Sequence, residues 1–187
     1  LLCKAFPFSI VRHPDFEADD IIAHYARLHK EDDVIIASGD SDFIQLLTDE
    51  NPQIKLYHPI KKDFVTPPDY DYLEWKAIRG DATDNVPGIP RHGDKTAEKI
   101  VRDPELFEKK LEDPEWEAQF LRNLSLIRID ALTQTEIDGI QVVEPGLNTQ
   151  VIKEACEGWE FGSVLKEKPW NKFIKTFEDI LEGESFA

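Results

Sequence analysis

The apolar run Val34-Ile35-Ile36-Ala37 leads through Ser38-Gly39 straight into two aspartates, Asp40 and Asp42. A short continuous apolar stretch preceded by charge is how a strand buried on both faces of a parallel sheet reads. Carboxylates placed directly after such a strand fall at its carboxyl end, the edge where open α/β sheets collect ligands. The surroundings agree. Phe6–Val11 predicts a strand, and residues 17–29 predict a helix, because Ala18, Ile21, Ile22, Tyr25, Ala26 and Leu28 make a helical stripe. Residues 41–47 predict a short helix, 54–57 a strand, and Phe64-Val65 a small strand beside it. Strands alternating with helices predict an α/β fold with a mainly parallel sheet.

The pattern changes at Pro67. Residues 67–79 predict a helix opened by Pro67-Pro68 and carrying Tyr70, Leu73, Trp75 and Ile78. A turn region from Gly80 to Gly93 follows, then a helix from about Asp94 to Val101 and further helices over 104–111 and 115–128. Trp116, Phe120, Leu124 and Ile127 recur at helical spacing and read as core. The stretch 133–148 fits neither period and contains Pro145-Gly146, a turn signal. Residues 149–157 and 170–181 read as helices, with the last few residues frayed. The expected divisions are 1–65, the carboxyl part of an α/β domain; 66–130, a helical module; and 131–187, a helical region.

Composition excludes several classes. No run of 18 apolar residues exists, so no transmembrane helix and no membrane partner is expected. Cys3 and Cys156 form neither a disulfide framework nor a zinc spacing, which fits a reducing, cytoplasmic setting. The chain contains no methionine and starts at Leu1, which reads as a piece of a longer protein. The net charge of −16 runs against a phosphate binder, but it is unevenly spread. Residues 1–60 carry −6, residues 61–102 carry zero, and residues 103–187 carry −10. Within 86–102 the balance is +2.

Seven carboxylates fall in three clusters: Glu17, Asp19 and Asp20; Asp40 and Asp42; Asp81 and Asp84. Each has an ordinary explanation. Acids in a first helical turn suit the helix dipole, Asp40 can cap the helix after it, and Asp81 and Asp84 precede Pro87 in a turn. Taken together, they are what a pair of hard divalent cations requires, since Mg²⁺ and Mn²⁺ take oxygen ligands. Two such ions about 4 Å apart can clamp both oxygens of a phosphodiester displacement.

The turn supplies the second element. Gly88 and Gly93 bracket Ile89-Pro90-Arg91-His92, and glycine permits positive φ and close backbone approach. The helix that follows offers its N-terminal amides to phosphate. Lys95, Lys99 and Arg102 lie at i, i+4 and i+7, on one face. Such a face reads phosphates rather than bases. Its ordinary alternative is a solvated basic surface.

With these motifs in view, FEADDIIA, IIASGDSDFIQLL and RGDATDNVPGIPRHGDKTAEKI resemble successive motifs of the 5′-nuclease (flap endonuclease) superfamily. That group includes phage 5′-exonucleases, phage ribonuclease H and the 5′-nuclease domains of bacterial DNA polymerase I. The likeness covers roughly residues 5–130. The layout and FLRNLSLIRI (120–129) are most similar to the T-even phage ribonuclease H group.

The resemblance implies a PIN-like α/β domain followed by a helix–three-turn–helix module gripping duplex DNA, with two Mg²⁺ or Mn²⁺. The implied activity is 5′–3′ exonuclease or flap endonuclease cleavage in replication or repair, with RNA-primer removal among its forms. Glu17 and Asp19 are implied at the first metal, Asp20 beside it, and Asp40 at the first metal or between the two. Asp42, Asp81 and Asp84 are implied at the second, with Gly88, Gly93, Lys95 and Thr96 in the gripping turn. Implied partners are duplex DNA with a 5′ flap, nick or RNA primer, and a single-strand-binding protein or sliding clamp.

Two departures qualify the likeness. Arg91 and His92 stand where such modules carry an inner Gly-Ile, which argues against their monovalent-cation site and puts positive charge there instead. The family's first strand, two further metal-binding aspartates and the basic arch lie upstream of the residues seen here. Hence the alternatives: a catalytically incomplete piece that only binds duplex or forked DNA, or an acidic interaction domain with no nucleic acid partner.

Overall fold

The computed structural model describes residues 2–29 and 31–182, which form two compact units. One unit comprises Glu17–Leu132 and the other comprises Leu1–Phe16 with Thr133–Ala187. The expectation of frayed last residues falls on 183–187, outside the described residues, as do Leu1 and the side chain of Cys3.

In the first unit, α1 (Ala18–Leu28) is followed by β2 (Val34–Ala37), a 3₁₀ turn (Ser41–Leu46), β3 (Ile54–His58) and β4 (Asp63–Phe64). β2 and β3 pair in parallel over four residue pairs, Val34 with Ile54 through Ala37 with Tyr57. β4 adds antiparallel to β3 over two pairs, so the sheet is mainly parallel within an α/β layer. Ala23 and Ala26 of α1 pack with Ile36, Phe43, Leu46, Ile54, Leu56 and Ile129 to form its core. The small residues at 23 and 26 let the helix lie close to the strands.

One expectation is corrected here. β2 is not buried on both faces: Ile36 is buried, but Ile35 is 57% exposed. The core lies on one face of the sheet among the described residues, so alternate residues of the apolar run diverge.

Four helices continue this unit: α2 (Tyr72–Arg79), α3 (Asp94–Val101), α4 (Pro104–Leu111) and α5 (Pro114–Ile127). The first begins later than its proline pair predicts, because Asp71 accepts the Glu74 N–H at 2.8 Å and takes the N-cap instead. α4 and α5 do start on prolines, each capped by the preceding aspartate. Ala77, Ile78, Ile89, Ala97, Ile100, Trp116 and Phe120 form a second core. Trp116 and Phe120 stack at 5.3 Å, with Phe107 edge-on to both, as the periodicity predicts. Gln45 bonds the Ile127 carbonyl and the Ile129 N–H, and Arg27 bonds the Ile129 carbonyl, so the end of α5 is tied to the sheet layer.

The other unit corrects the first predicted strand. β1 is confined to Ile10–Arg12 and pairs antiparallel with β5 (Gln141–Val143), the partner hidden in the ambiguous stretch 133–148. It does not join the parallel sheet. Phe6 is instead part of an aromatic cluster with Phe173 and Phe177 of α8 (Glu167–Glu182). Ala5, Ile152 and Cys156 form the buried centre, with α7 (Thr149–Gly158) supplying the last two; Cys156 is a free thiol. α6 (Gln134–Ile137) is a single turn with a Thr133–Glu136 capping box. No described helix is long and apolar enough to cross a membrane.

Candidate metal centre and phosphate-binding face

Three of the predicted acids converge. One carboxylate oxygen each from Asp42, Asp81 and Asp84 lies within 4.8 Å of the others. Asp42 is held at the start of the 3₁₀ turn, where its N–H donates to the Asp40 carboxylate at 2.9 Å. Asp81 is fixed by a short bridge, its N–H on the Val86 carbonyl at 2.9 Å and the Val86 N–H on its own carbonyl at 2.8 Å. That turn carries Asp84 back beside Asp81, with Asn85 at φ +57. Thus Asp81 and Asp84 meet through a tight turn.

The sequence reading missed a fourth member. Lys76 of α2 is 3% exposed, and its ammonium contacts both the Asp42 carboxylate and the Asp81 carboxylate, the latter at 2.5 Å. Burial pushes the Asp81 carboxyl up, but hydrogen bonds from Lys76 and the Thr83 N–H outweigh it and hold it at about 2. Burial alone would lower the Lys76 ammonium, but bonding to Asp42 and Asp81 raises it. The only signal in the sequence was a lysine set between Trp75 and Ala77-Ile78 on an apolar helix.

The other predicted acids group at the start of α1. Asp19 is raised by burial and then by the charges of Asp40, Asp42, Glu17 and Asp20, so it feels both neighbouring clusters. Asp20 accepts the Glu17 N–H at 3.2 Å, which commits one of its oxygens to the helix start. Asp40 likewise serves as the cap of the 3₁₀ turn. These capping roles coexist with free oxygens, since each carboxylate has four acceptor positions. The donor set fits a hard divalent cation. It is all oxygen, and the ammonium already seated between two of its acids shows that positive charge is accommodated there.

The turn after Asp84 is built differently from its prediction. Gly80, not Gly88 or Gly93, has positive φ, at +82°. Gly88 is required for close approach, since a Cβ there would lie 2.0 Å from the Arg79 carbonyl oxygen. A Cβ on Gly93 would meet nothing within 4 Å. Instead, Gly93 is the N-cap of α3, accepting from the Thr96 and Ala97 N–H groups. Arg91, exposed, takes a left-handed conformation at φ +67°.

Asn123 is the second residue that sequence reasoning missed. It is buried and donates to both the Ala77 and Pro87 carbonyls at 2.8 Å, which pins the turn to α2 and α5. Its place on the Trp116–Phe120–Ile127 stripe was a readable signal.

The basic residues divide. Lys95, Thr96 and Lys99 are exposed, and neither lysine forms an ion pair with a described residue. Arg102 is held by Asp69 and Glu98 and lies over the Tyr70 ring at 5.0 Å, its guanidinium raised by those bonds. Arg79 pairs with Asp94 at 2.7 Å and lies over Trp75, whose indole N–H donates to the Asp94 carbonyl. These contacts lock the start of α3 to α2.

Residues 1–74 match the family described as 5′-3′ exonuclease, N-terminal resolvase-like domain. The chain is thus similar to the 5′-nuclease superfamily, with the family match confined to its first part. It is 27% identical to DNA polymerase I of Bacillus subtilis in a match that covers 88% of this chain and 22% of that protein. It is 36% identical to DNA polymerase I of Rhizobium leguminosarum in a match that covers 54% of this chain and 11% of that one. The thermostable DNA polymerase I of Thermus aquaticus is 29% identical in a match that covers 82% of this chain and 21% of that protein. The chain thus spans about a fifth or less of the length of these relatives. A mutant T5 5′-exonuclease has a similar structure, with a TM-score of 0.50 and 26% identity over 60% of this chain and 55% of that one. The segment that matches this family ends at residue 74, so it includes Glu17 through Asp42 but not Asp81 or Asp84.

Proposed function

We propose that this chain is the acid-bearing and duplex-gripping part of a divalent-metal-dependent, structure-selective 5′-nuclease. The observation that carries the reading is the convergence of Asp42, Asp81 and Asp84. That cluster lies immediately upstream, in sequence, of a turn and a helix whose exposed lysines form no ion pair with a described residue. The names of the relatives, DNA polymerase I and 5′-exonuclease, point to the same chemistry on DNA.

In this reading Asp42, Asp81 and Asp84 hold one Mg²⁺ or Mn²⁺, while Glu17, Asp19 and Asp40 hold a second, with Asp20 beside them. When bound, such ions stabilise charge on the attacking and leaving oxygens and make water a better nucleophile. The chain's own residues do the rest. The charges of Asp40 and Asp42 beside the partly buried Asp19 make this group of acids favour a cation. The amides at the start of α3, with Arg91, Lys95, Thr96 and Lys99, hold duplex phosphates without reading sequence. The substrates that suit this division are duplexes with a 5′ flap, a nick or an RNA primer, presented in the cytoplasm during replication or repair, with a single-strand-binding protein or sliding clamp alongside.

The test is cleavage of an end-labelled 5′-flap duplex in Mg²⁺ and Mn²⁺, with duplex binding measured in parallel. Asp42→Asn should abolish product while leaving duplex affinity within about twofold. Equal loss of binding and cleavage would overturn the division of roles.

A further inference from the structure

We infer that Lys76 is a built-in counter-charge that sets the metal affinity of the Asp42–Asp81–Asp84 cluster, holding it assembled but only weakly loaded until a substrate phosphate arrives. The inference rests on the proposed reading of that cluster as a metal site, and it concerns a residue outside the set of acids assigned to the ions.

The geometry carries it. Lys76 reaches from α2 with its stem buried, and its ammonium bonds two of the three acids at once. A buried ammonium with two carboxylate partners is fixed in place, unlike an exposed lysine with a mobile head group. The formal charge of the three acids is minus three, and Lys76 reduces it to minus two. One divalent ion then brings the group to neutrality, which an approaching phosphodiester tolerates. Without Lys76 the same ion would leave a net negative charge facing a negative substrate.

Two consequences follow. The ammonium bonds two of the acids that would hold the ion, so it weakens metal binding by direct repulsion. It also keeps Asp42 and Asp81 together when no metal is present, so the apo fold does not pay the full repulsion of a bare cluster. Lys76 is therefore a positioning residue. It trades metal affinity for a preassembled site.

The experiment measures Mn²⁺ binding by the electron paramagnetic resonance of free Mn²⁺, together with thermal unfolding in EDTA and in Mn²⁺. The proteins are the parent, Asp84→Asn, Lys76→Met, Lys76→Gln and Lys76→Arg. Lys76→Gln keeps a hydrogen-bond donor for both acids and serves as the neutral variant if Lys76→Met does not fold. The component of Mn²⁺ binding lost in Asp84→Asn identifies the cluster. That component should tighten about tenfold or more in the neutral variants and stay within about twofold of the parent in Lys76→Arg. The neutral variants should also unfold at lower temperature than the parent in EDTA and regain the difference in Mn²⁺. An Asp84-dependent affinity unchanged in the neutral variants, with a stability loss that Mn²⁺ does not restore, would overturn the inference and leave the metal site standing. Absence of Asp84-dependent binding in the parent would remove the metal site and this inference with it.

Discussion

Gly80 and Gly88 pack backbone against backbone: a Cβ built on Gly80 would lie 2.2 Å from the Gly88 nitrogen. The contact closes the turn that carries Asp81 and Asp84, and the Gly80 conformation, φ +82°, is one that side chains resist. On the other side, a Gly88 Cβ would meet the Arg79 carbonyl oxygen at 2.0 Å, an atom that cannot swing away. Gly88→Ala should therefore cost about 3 kcal/mol in urea unfolding, the upper range for an overpacked site. It should also weaken Asp84-dependent Mn²⁺ binding, because separating the two strands of the turn displaces the acids. An unchanged urea midpoint would show that the turn can open without cost.

Arg91 bears a strain that its glycine counterpart would not. A non-glycine residue in the left-handed region costs about 1–2 kcal/mol, while a glycine there costs about 0.4–1 kcal/mol through the unfolded chain. Arg91→Gly should thus stabilise the protein by about 0.5 kcal/mol. The same change removes an exposed cation from the turn proposed to hold duplex phosphates, so duplex affinity should fall as stability rises. Differential scanning calorimetry beside a binding titration checks both signs; a parallel loss of stability and affinity would contradict the strain argument.

The pH dependence follows from Asp81. Its folded value of about 2 lies below its ordinary 3.8, so its contribution to stability is present above about pH 4 and is lost as pH falls through 2. Asp19 and Asp42 are shifted the other way by burial and do not share this loss. In EDTA, the stability advantage of the parent over Asp81→Asn should shrink between pH 4 and pH 2. A constant difference across that window would mean that Lys76 does not hold Asp81 in its ionised form.

Much of this arrangement was legible in the sequence, for reasons that differ by residue. The run Val34–Ala37 and its following acids were readable because strand, turn and helix cap are local signals. The helices over 104–111 and 115–128 were readable because helical period is local, whereas the start of α2 was misplaced because Asp71, and not the Pro67-Pro68 pair, takes the cap. β1 was misplaced because pairing is non-local: Phe6 looks like strand material, but its partners are Phe173 and Phe177, far along the chain. Lys76 was missed for a related reason. A lysine in a helix reads as solvated, and only the meeting of α2 with the Asp42 turn gives it two carboxylate partners. Asn123 could have been found, since a polar side chain on an otherwise aromatic stripe must satisfy its amide somewhere.

The basic face yields the sharpest contrast between residues that look equivalent in sequence. Lys95, Lys99 and Arg102 share one helical face, but Arg102 is already bonded to Asp69 and Glu98. A cation so engaged releases little counterion on binding DNA, whereas a free lysine at a phosphate releases about one. Lys95→Ala/Lys99→Ala should therefore reduce the slope of log affinity against log salt by roughly 2, uniformly across duplex sequences. Arg102→Ala should leave that slope nearly unchanged and instead lower thermal stability, because it frees Asp69 and Glu98 and uncovers Tyr70. Fluorescence anisotropy of a labelled duplex across a salt series separates the two. A slope change of the same size in both variants would mean that Arg102 leaves its acids to engage the duplex.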